Sequence, residues 1–171
     1  NVPSQQRPRR MSADELDTLT PQGLARAEAI GKELAGRDVV AVYASPARRA
    51  QQTAEAIAKV LGLGAPIVSE AFRTLDSGSD ERVASGSARM KNWKAGRDPR
   101  PAGGESLADG YARAASAVAE LAIKHAGHAI VVVTHGEIAS SLLTKAAGQN
   151  LLGGYFTHFP DEGSIHPLVV P

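Results

Sequence analysis

Apolar positions along this chain recur at two periods, and the switches between them mark out the elements. Thr20-Pro21 offers a hydroxyl at an N-cap and proline at the first helical position. Leu24, Ala27, Gly31 and Leu34 follow on one face at helical spacing, and Gly36 ends the run. Val39 to Tyr43 is a short β-rich apolar run and reads as a buried strand. Ser45-Pro46 opens a second helix with a stripe of Ala50, Ala54, Ile57 and Leu61, closing near Gly62. Ile67-Val68 is a weak, short strand. Ser106 and Asp109 form a capping-box pattern before a helix that runs to about His125. Ala129 to Val133 gives the strongest strand signal, a continuous apolar run of the kind found in sheets covered on both faces. A short helix from about Ile138 to Ala147, a loop, and a last strand near Ile165 to Val170 complete the pattern.

Two stretches lack such periodicity. The segment from Asn1 to Asp17 is polar and rich in Pro and Arg, and reads as a loop. The stretch from Asp76 to Gly104 is rich in Ser, Gly, Arg and Pro, with a helical turn expected around Met90 to Trp93. Long aperiodic stretches of this kind are usually lids over a site. Strands alternating with helices imply a single α/β domain over residues 1–171, a three-layer α/β/α sandwich with a mostly parallel sheet. In such sheets the site lies beyond the carboxyl ends of the strands, so the residues after Tyr43 and after Val133 are the ones to inspect.

Composition narrows the function. The chain has 171 residues, 43% hydrophobic and 22% charged, with 19 Lys and Arg against 18 Asp and Glu for a net charge of +1. That balance argues against a broad basic field for nucleic acid. Arg7, Arg9 and Arg10 are the one local excess, either a solvated segment or a basic rim that attracts an anion. Absence of cysteine removes thiolate chemistry and Cys-based zinc sites. No run approaches the about 18 apolar residues of a membrane helix, and no signal peptide is visible. The expected location is the cytoplasm. The start at Asn-Val-Pro, without Met, leads to the expectation that residues precede it, with room among them for a targeting segment.

Ser45-Pro46-Ala47-Arg48-Arg49 follows the first strand. A sharp strand-to-helix turn presents free backbone N–H groups and the positive end of a helix dipole, a natural seat for an anion. An arginine in that first turn can bind a phosphate through two parallel hydrogen bonds. Taken alone, two solvated arginines on a surface helix explain the same residues. Thr134-His135-Gly136-Glu137 follows the strongest strand; a histidine there, next to glycine, can approach a ligand closely and donate to it. The other histidines, at 125, 128, 158 and 166, carry no assigned role, and no pair has the spacing of a helical zinc motif.

Together these pieces resemble the histidine phosphatase (phosphoglycerate-mutase-like) superfamily, branch 1. Leu19-Thr20-Pro21-Gln22-Gly23, and Val42 to Pro46 with Arg49-Ala50 and Gln52-Thr53-Ala54, look like its first helix and its Ser-Pro-x-x-Arg-Ala-x-Gln-Thr-Ala block. Gly103-Gly104-Glu105-Ser106-Leu107 with Arg113 looks like its Gly-Gly-Glu-Ser helix start, and Val131 to Gly136 like its Val-Val-x-His-Gly block. The resemblance implies a phosphatase acting on a small phosphorylated metabolite through a phosphohistidine intermediate, with phosphate or sulfate as an anion of the pocket and with neither metal nor organic cofactor. It implies catalytic roles for Arg49 and His135, and substrate contacts from Ser45, Gly136 and Glu105. A homodimer is compatible with it.

Two departures accompany the match. The family's Arg-His-Gly motif, which ends its first strand and carries the nucleophile, is absent from these residues and is expected immediately before Asn1, in a strand internal to the sheet. Without that strand, backbone groups would stay unpaired. The strand could also be supplied by a separate peptide or another copy. The family's acidic Glu falls at Thr74 here, and a threonine hydroxyl is far too weak an acid. Asp76 is the expected substitute, with Glu70, Asp80 and Glu81 behind it. The rival reading is a phosphate-binding, non-catalytic relative that keeps Arg49 and His135.

Overall fold

The computed structural model describes residues 17–79 and 86–170. Arg7, Arg9 and Arg10, and the charges at Asp80, Glu81 and Arg82, lie outside the described residues. Thr20 caps helix α1 (Pro21–Leu34), accepting from Gly23 N at 3.1 Å, and proline occupies the first turn. Strand β1 (Val39–Ala44) leads into α2 (Arg48–Leu61), which ends on Gly62 in the left-handed conformation. Strand β2 (Ile67–Val68) passes into a short 3-10 turn, Glu70–Phe72. Helix α3 (Gly86–Lys94) lies in the aperiodic stretch, followed by α4 (Leu107–Lys124). Strand β3 (Ala129–Val133) feeds α5 (Gly136–Ala146), and a short α6 (Leu151–Tyr155) comes last.

The sheet is parallel, in the order β2-β1-β3, with Tyr43 opposite Ile67 and Val132, and Ala44 opposite Val68 and Val133. Successive side chains of a strand point to opposite faces, and the two faces carry separate cores. Tyr43, with Ala41, Ile130 and Val132, packs with Phe72, Leu75, Leu107 and Ile138. Val42 and Ala44, with Val131 and Val133, pack with Ile30, Leu34, Ala54 and Ile57 of α1 and α2. Helices on both faces make the three-layer α/β/α sandwich, as the alternation of strands and helices requires.

Four expectations are corrected. Residues Ile165 to Val170 form no strand; Ile165 packs beside Val131 and Val133, while Val169 is 89% exposed. Among the described residues no strand pairs with the outer edge of β3, and a strand without a partner leaves its backbone groups unsatisfied. For the same reason all five residues of β3 are only half-buried, where a sheet neighbour on each side would bury them. Leu24 is 44% exposed, in an open groove beside Gln52 and Ala56, and Ile30 takes its place in the core. Helix α6 was expected as loop. Asn150 caps it, accepting from Leu152 N and Gly153 N. The stretch around α3 holds more structure than one helical turn: Trp93 is buried and donates to Asp98 at 3.0 Å, and Asp98 also accepts from Leu107 N and Ala108 N. Trp93 and Asp98 thereby tie this stretch to the start of α4.

Helices α1 and α2 approach closely at Gly31. A Cβ there would lie 2.7 Å from Val60 Cβ and 3.3 Å from Ile57 O. Overpacking costs about 1–3 kcal/mol, while replacing glycine returns up to about 1 kcal/mol of helix propensity. Gly31→Ala is therefore expected to lower the unfolding free energy by on the order of 1 kcal/mol in a urea titration. A more stable variant would contradict this packing.

Candidate active site

The carboxyl ends of β1 and β3 lie side by side, joined by Ser45 N donating to Val133 O at 2.9 Å. Ser45 is fully buried, and its Oγ lies 2.7 Å from His135 Nε2 and accepts from Ala47 N at 3.2 Å. On the other side of the ring, Arg49 Nη2 donates to His135 Nδ1 at 3.1 Å. A guanidinium can only donate, so Nδ1 accepts, and the proton of a neutral imidazole sits on Nε2. Burial pushes the His135 pKa down; the charge of Glu137 opposes this, and that of Arg49 adds to it. Arg49 also pairs with Asp17, whose Oδ2 accepts from Arg48 N at 2.9 Å. Ser45, Arg49 and His135, from three separate elements, thus form one cluster.

Two helices begin at this edge, and neither spends a side chain on capping its own N-terminus: Ala47 precedes α2 and His135 precedes α5. Unsatisfied N–H groups and the dipole favour an anion at such ends. Gly136 has a more local cause than ligand approach, since a Cβ there would lie 2.6 Å from the Phe159 ring.

The remaining expected site residues lie elsewhere. Glu105, expected to touch substrate, spends both carboxylate oxygens on arginines: Arg73 at 2.6 and 3.0 Å, and Arg113 at 2.9 and 3.0 Å. Asp76 N adds a fifth donor at 3.0 Å. Arg113 also donates to Ala71 O at 2.7 Å and Arg73 O at 3.3 Å. Burial alone would push the Glu105 carboxyl up, but hydrogen bonds from Arg113 and then Arg73 overcome it and hold the pKa at about 2. The role this geometry gives Glu105 is to shape residues 70–76. Asp76 is exposed, and its Oδ1 caps the turn at Gly78 N at 2.8 Å, without contact to Ser45, Arg49 or His135. Glu70 pairs loosely with Arg73 at 3.8 Å.

One carboxylate reaches the site that the sequence reading left without a role. Glu137, in the first turn of α5, accepts from Thr74 Oγ1 and from Leu75 N at 3.4 Å. With Thr74, Arg89, Trp93, Tyr155 and Phe159 it lines a cavity of about 290 Å³. Burial first, then the charge of Glu137, raises the pKa of Tyr155 and keeps its hydroxyl neutral. The signal that could have found Glu137 is its position, two residues beyond His135 at a strand's carboxyl end.

The family whose description matches this chain is the histidine phosphatase superfamily (branch 1), over residues 5–169. The chain is 36% identical over 121 residues to the uncharacterized protein Rv0525 of Mycobacterium tuberculosis, across 68% of this chain and 60% of that protein. It thus spans about 60% of the length of that relative. It is 32% identical over 145 residues to the 2,3-bisphosphoglycerate-dependent phosphoglycerate mutase of Methylobacterium radiotolerans, across 76% of this chain and 68% of the mutase. Its fold is similar to the structure of a mycobacterial glucosyl-3-phosphoglycerate phosphatase with inorganic phosphate, with TM-score 0.66 and 26% identity over 82% of this chain and 75% of that one.

The Glu105 network has a pH signature. Its folded pKa, about 2, lies below the ordinary 4.5, so its contribution is fully present above 4.5 and is lost as pH falls through about 2. Glu105→Gln is expected to cost about 3 kcal/mol near neutral pH, read by urea titration. The gap between wild type and variant should shrink steadily in titrations repeated at lower pH. A gap independent of pH would show that Glu105 is not held as a carboxylate.

Proposed function

The chain belongs to the histidine phosphatase superfamily, branch 1, and from that premise we propose that it is the phosphoryl-binding part of a phosphatase for small phosphomonoesters. One observation carries the reading: Arg49, His135 and Ser45 meet at the carboxyl ends of two parallel strands, beside the N-termini of α2, where Arg48 N already holds the Asp17 carboxylate, and of α5. The arrangement can hold a tetrahedral oxyanion. An incoming oxyanion would take the place of the Asp17 carboxylate on the Arg49 guanidinium and on Arg48 N, with the start of α5 adding further N–H groups and His135 turning its Nε2–H from Ser45 Oγ. The phosphatase named among the similar structures, solved with inorganic phosphate, supports the same ligand class.

In this reading a histidine nitrogen attacks phosphorus, the P–N bond forms as the ester P–O bond breaks, and water later cleaves the phosphohistidine. Covalent catalysis divides one hard displacement into two easier ones. Charge develops on the equatorial oxygens, and fixed donors such as Arg49 and His135 stabilise it without reorganisation. His135 is bonded at both ring nitrogens, which suits a donor better than a nucleophile. The nucleophile in this proposal belongs to a further strand on the outer edge of β3, upstream of Asn1, where its terminal histidine would arrive beside His135. The same bonding of His135 keeps a second reading alive, a phosphate-binding relative without turnover.

Steady-state hydrolysis of p-nitrophenyl phosphate by the full-length protein separates the two. Turnover is expected, and Arg49→Ala should lower kcat/KM by on the order of 10²–10³, as for other oxyanion donors. Phosphate binding by calorimetry without turnover would favour the non-catalytic reading. Unchanged turnover in Arg49→Ala would remove Arg49 from the site.

A further inference from the structure

We propose that Glu137, and not a residue of the 74–78 loop, is the general acid that protonates the leaving oxygen; this rests on the phosphatase reading above. An alkoxide is a poor leaving group, so a phosphomonoesterase that acts on alkyl esters needs a proton donor within hydrogen-bond reach of the ester oxygen. Of the expected donors, Asp76 is folded back on Gly78 and Glu70 pairs with Arg73, while Asp80 and Glu81 lie outside the described residues; of the other nearby groups, Thr74 is too weak an acid and Glu105 is fixed between two arginines.

Glu137 meets the requirements that these residues miss. Its backbone follows His135-Gly136 in the first turn of α5, so the same strand end positions the phosphate donor and the carboxyl. Its side chain reaches the 74–78 loop and takes Thr74 Oγ1 and Leu75 N on one oxygen, Oε1. That leaves Oε2 as the proton-bearing atom. The carboxyl thereby stands against the residue, Thr74, at which the resembling family places its acid. Glu137 also lines the cavity closed by Trp93 and Tyr155, where a leaving group next to the phosphate would sit. It stands two residues beyond His135 on the same helix start, and its charge raises the pKa of Tyr155 on the cavity wall.

The step balances. The nucleophilic histidine's lone pair forms the P–N bond, the ester P–O bond breaks, and the proton on Glu137 Oε2 moves to the departing oxygen, which leaves as an alcohol. Glu137, now a carboxylate, takes a proton from water as the water oxygen bonds phosphorus and the P–N bond breaks. Phosphate, free histidine and protonated Glu137 are the result.

Glu137→Gln in the full-length protein tests this, because glutamine keeps a carbonyl to accept from Thr74 and removes only the acid. Hydrolysis of an alkyl phosphomonoester (glycerol phosphate) and of p-nitrophenyl phosphate would be measured side by side. The expected result is a loss on the order of 10²–10⁴ in kcat for the alkyl ester and less than about tenfold for the aryl ester. Recovery of alkyl turnover on adding Thr74→Glu would support the same assignment. Equal losses on the two esters, or no loss on either, would overturn Glu137 as the acid while leaving the phosphatase reading intact. A wild-type protein that hydrolyses neither ester would overturn both.

Discussion

A half-hidden carboxylate between two arginines governs the shape of this site. Glu105 takes both oxygens to Arg73 and Arg113, and Arg113 then gathers the carbonyls of Ala71 and Arg73. Ionic networks of this kind gain little net stability over well-packed apolar groups, but removing one member leaves charges stranded. Their contribution is geometric. Residues 70–76 have no ladder to hold them, and the arginines supply the missing donors. Thr134 completes the attachment, donating to Phe72 O at 2.8 Å, so the loop is fixed to the end of β3. The loop then presents Thr74 to Glu137.

That fixed loop also accounts for where Asp76 and Glu137 stand. Asp76 N is one of the donors to Glu105, and Asp76 Oδ1 closes the turn at Gly78. Close passage of the chain at Gly78, where a Cβ would lie 2.3 Å from Ala102 O, leaves the turn no room to swing inward. Glu137 starts from the opposite side, on a helix whose first residue is set by β3. Rigid elements place groups more accurately than loops do, and here the strand end holds both His135 and Glu137.

Local signals were legible in the sequence. The Thr20 cap with Pro21, the Ser106–Asp109 capping box and the apolar run of β3 each depend on neighbours a few residues apart, and each forms. The three-layer architecture followed from their alternation, and Arg49 and His135 from their places after strands. Groups decided by tertiary contact were not legible. That Arg73, 32 positions away, holds Glu105 is one such contact. Ile165 to Val170 has strand composition, but a strand also needs a partner. Glu137 has no motif of its own; its reach to Thr74 spans 63 positions.

The unpaired edge and the candidate site are two views of one constraint. Val42 and Tyr43 of β1, paired on both sides, are 2% and 4% exposed, whereas β3, paired on one, is half-buried along its whole length. A parallel strand added to that edge would cover Val131 to Val133 and end beside His135, because parallel neighbours end at the same side of the sheet. Backbone satisfaction and active-site assembly would then be a single event. His135, held between Ser45 Oγ and Arg49, stands at the end of β3 where such a strand would arrive. The ends of β1 and β3 bring Ser45, Arg49 and His135 together without it, and a residue at the end of an added strand would join them from that edge.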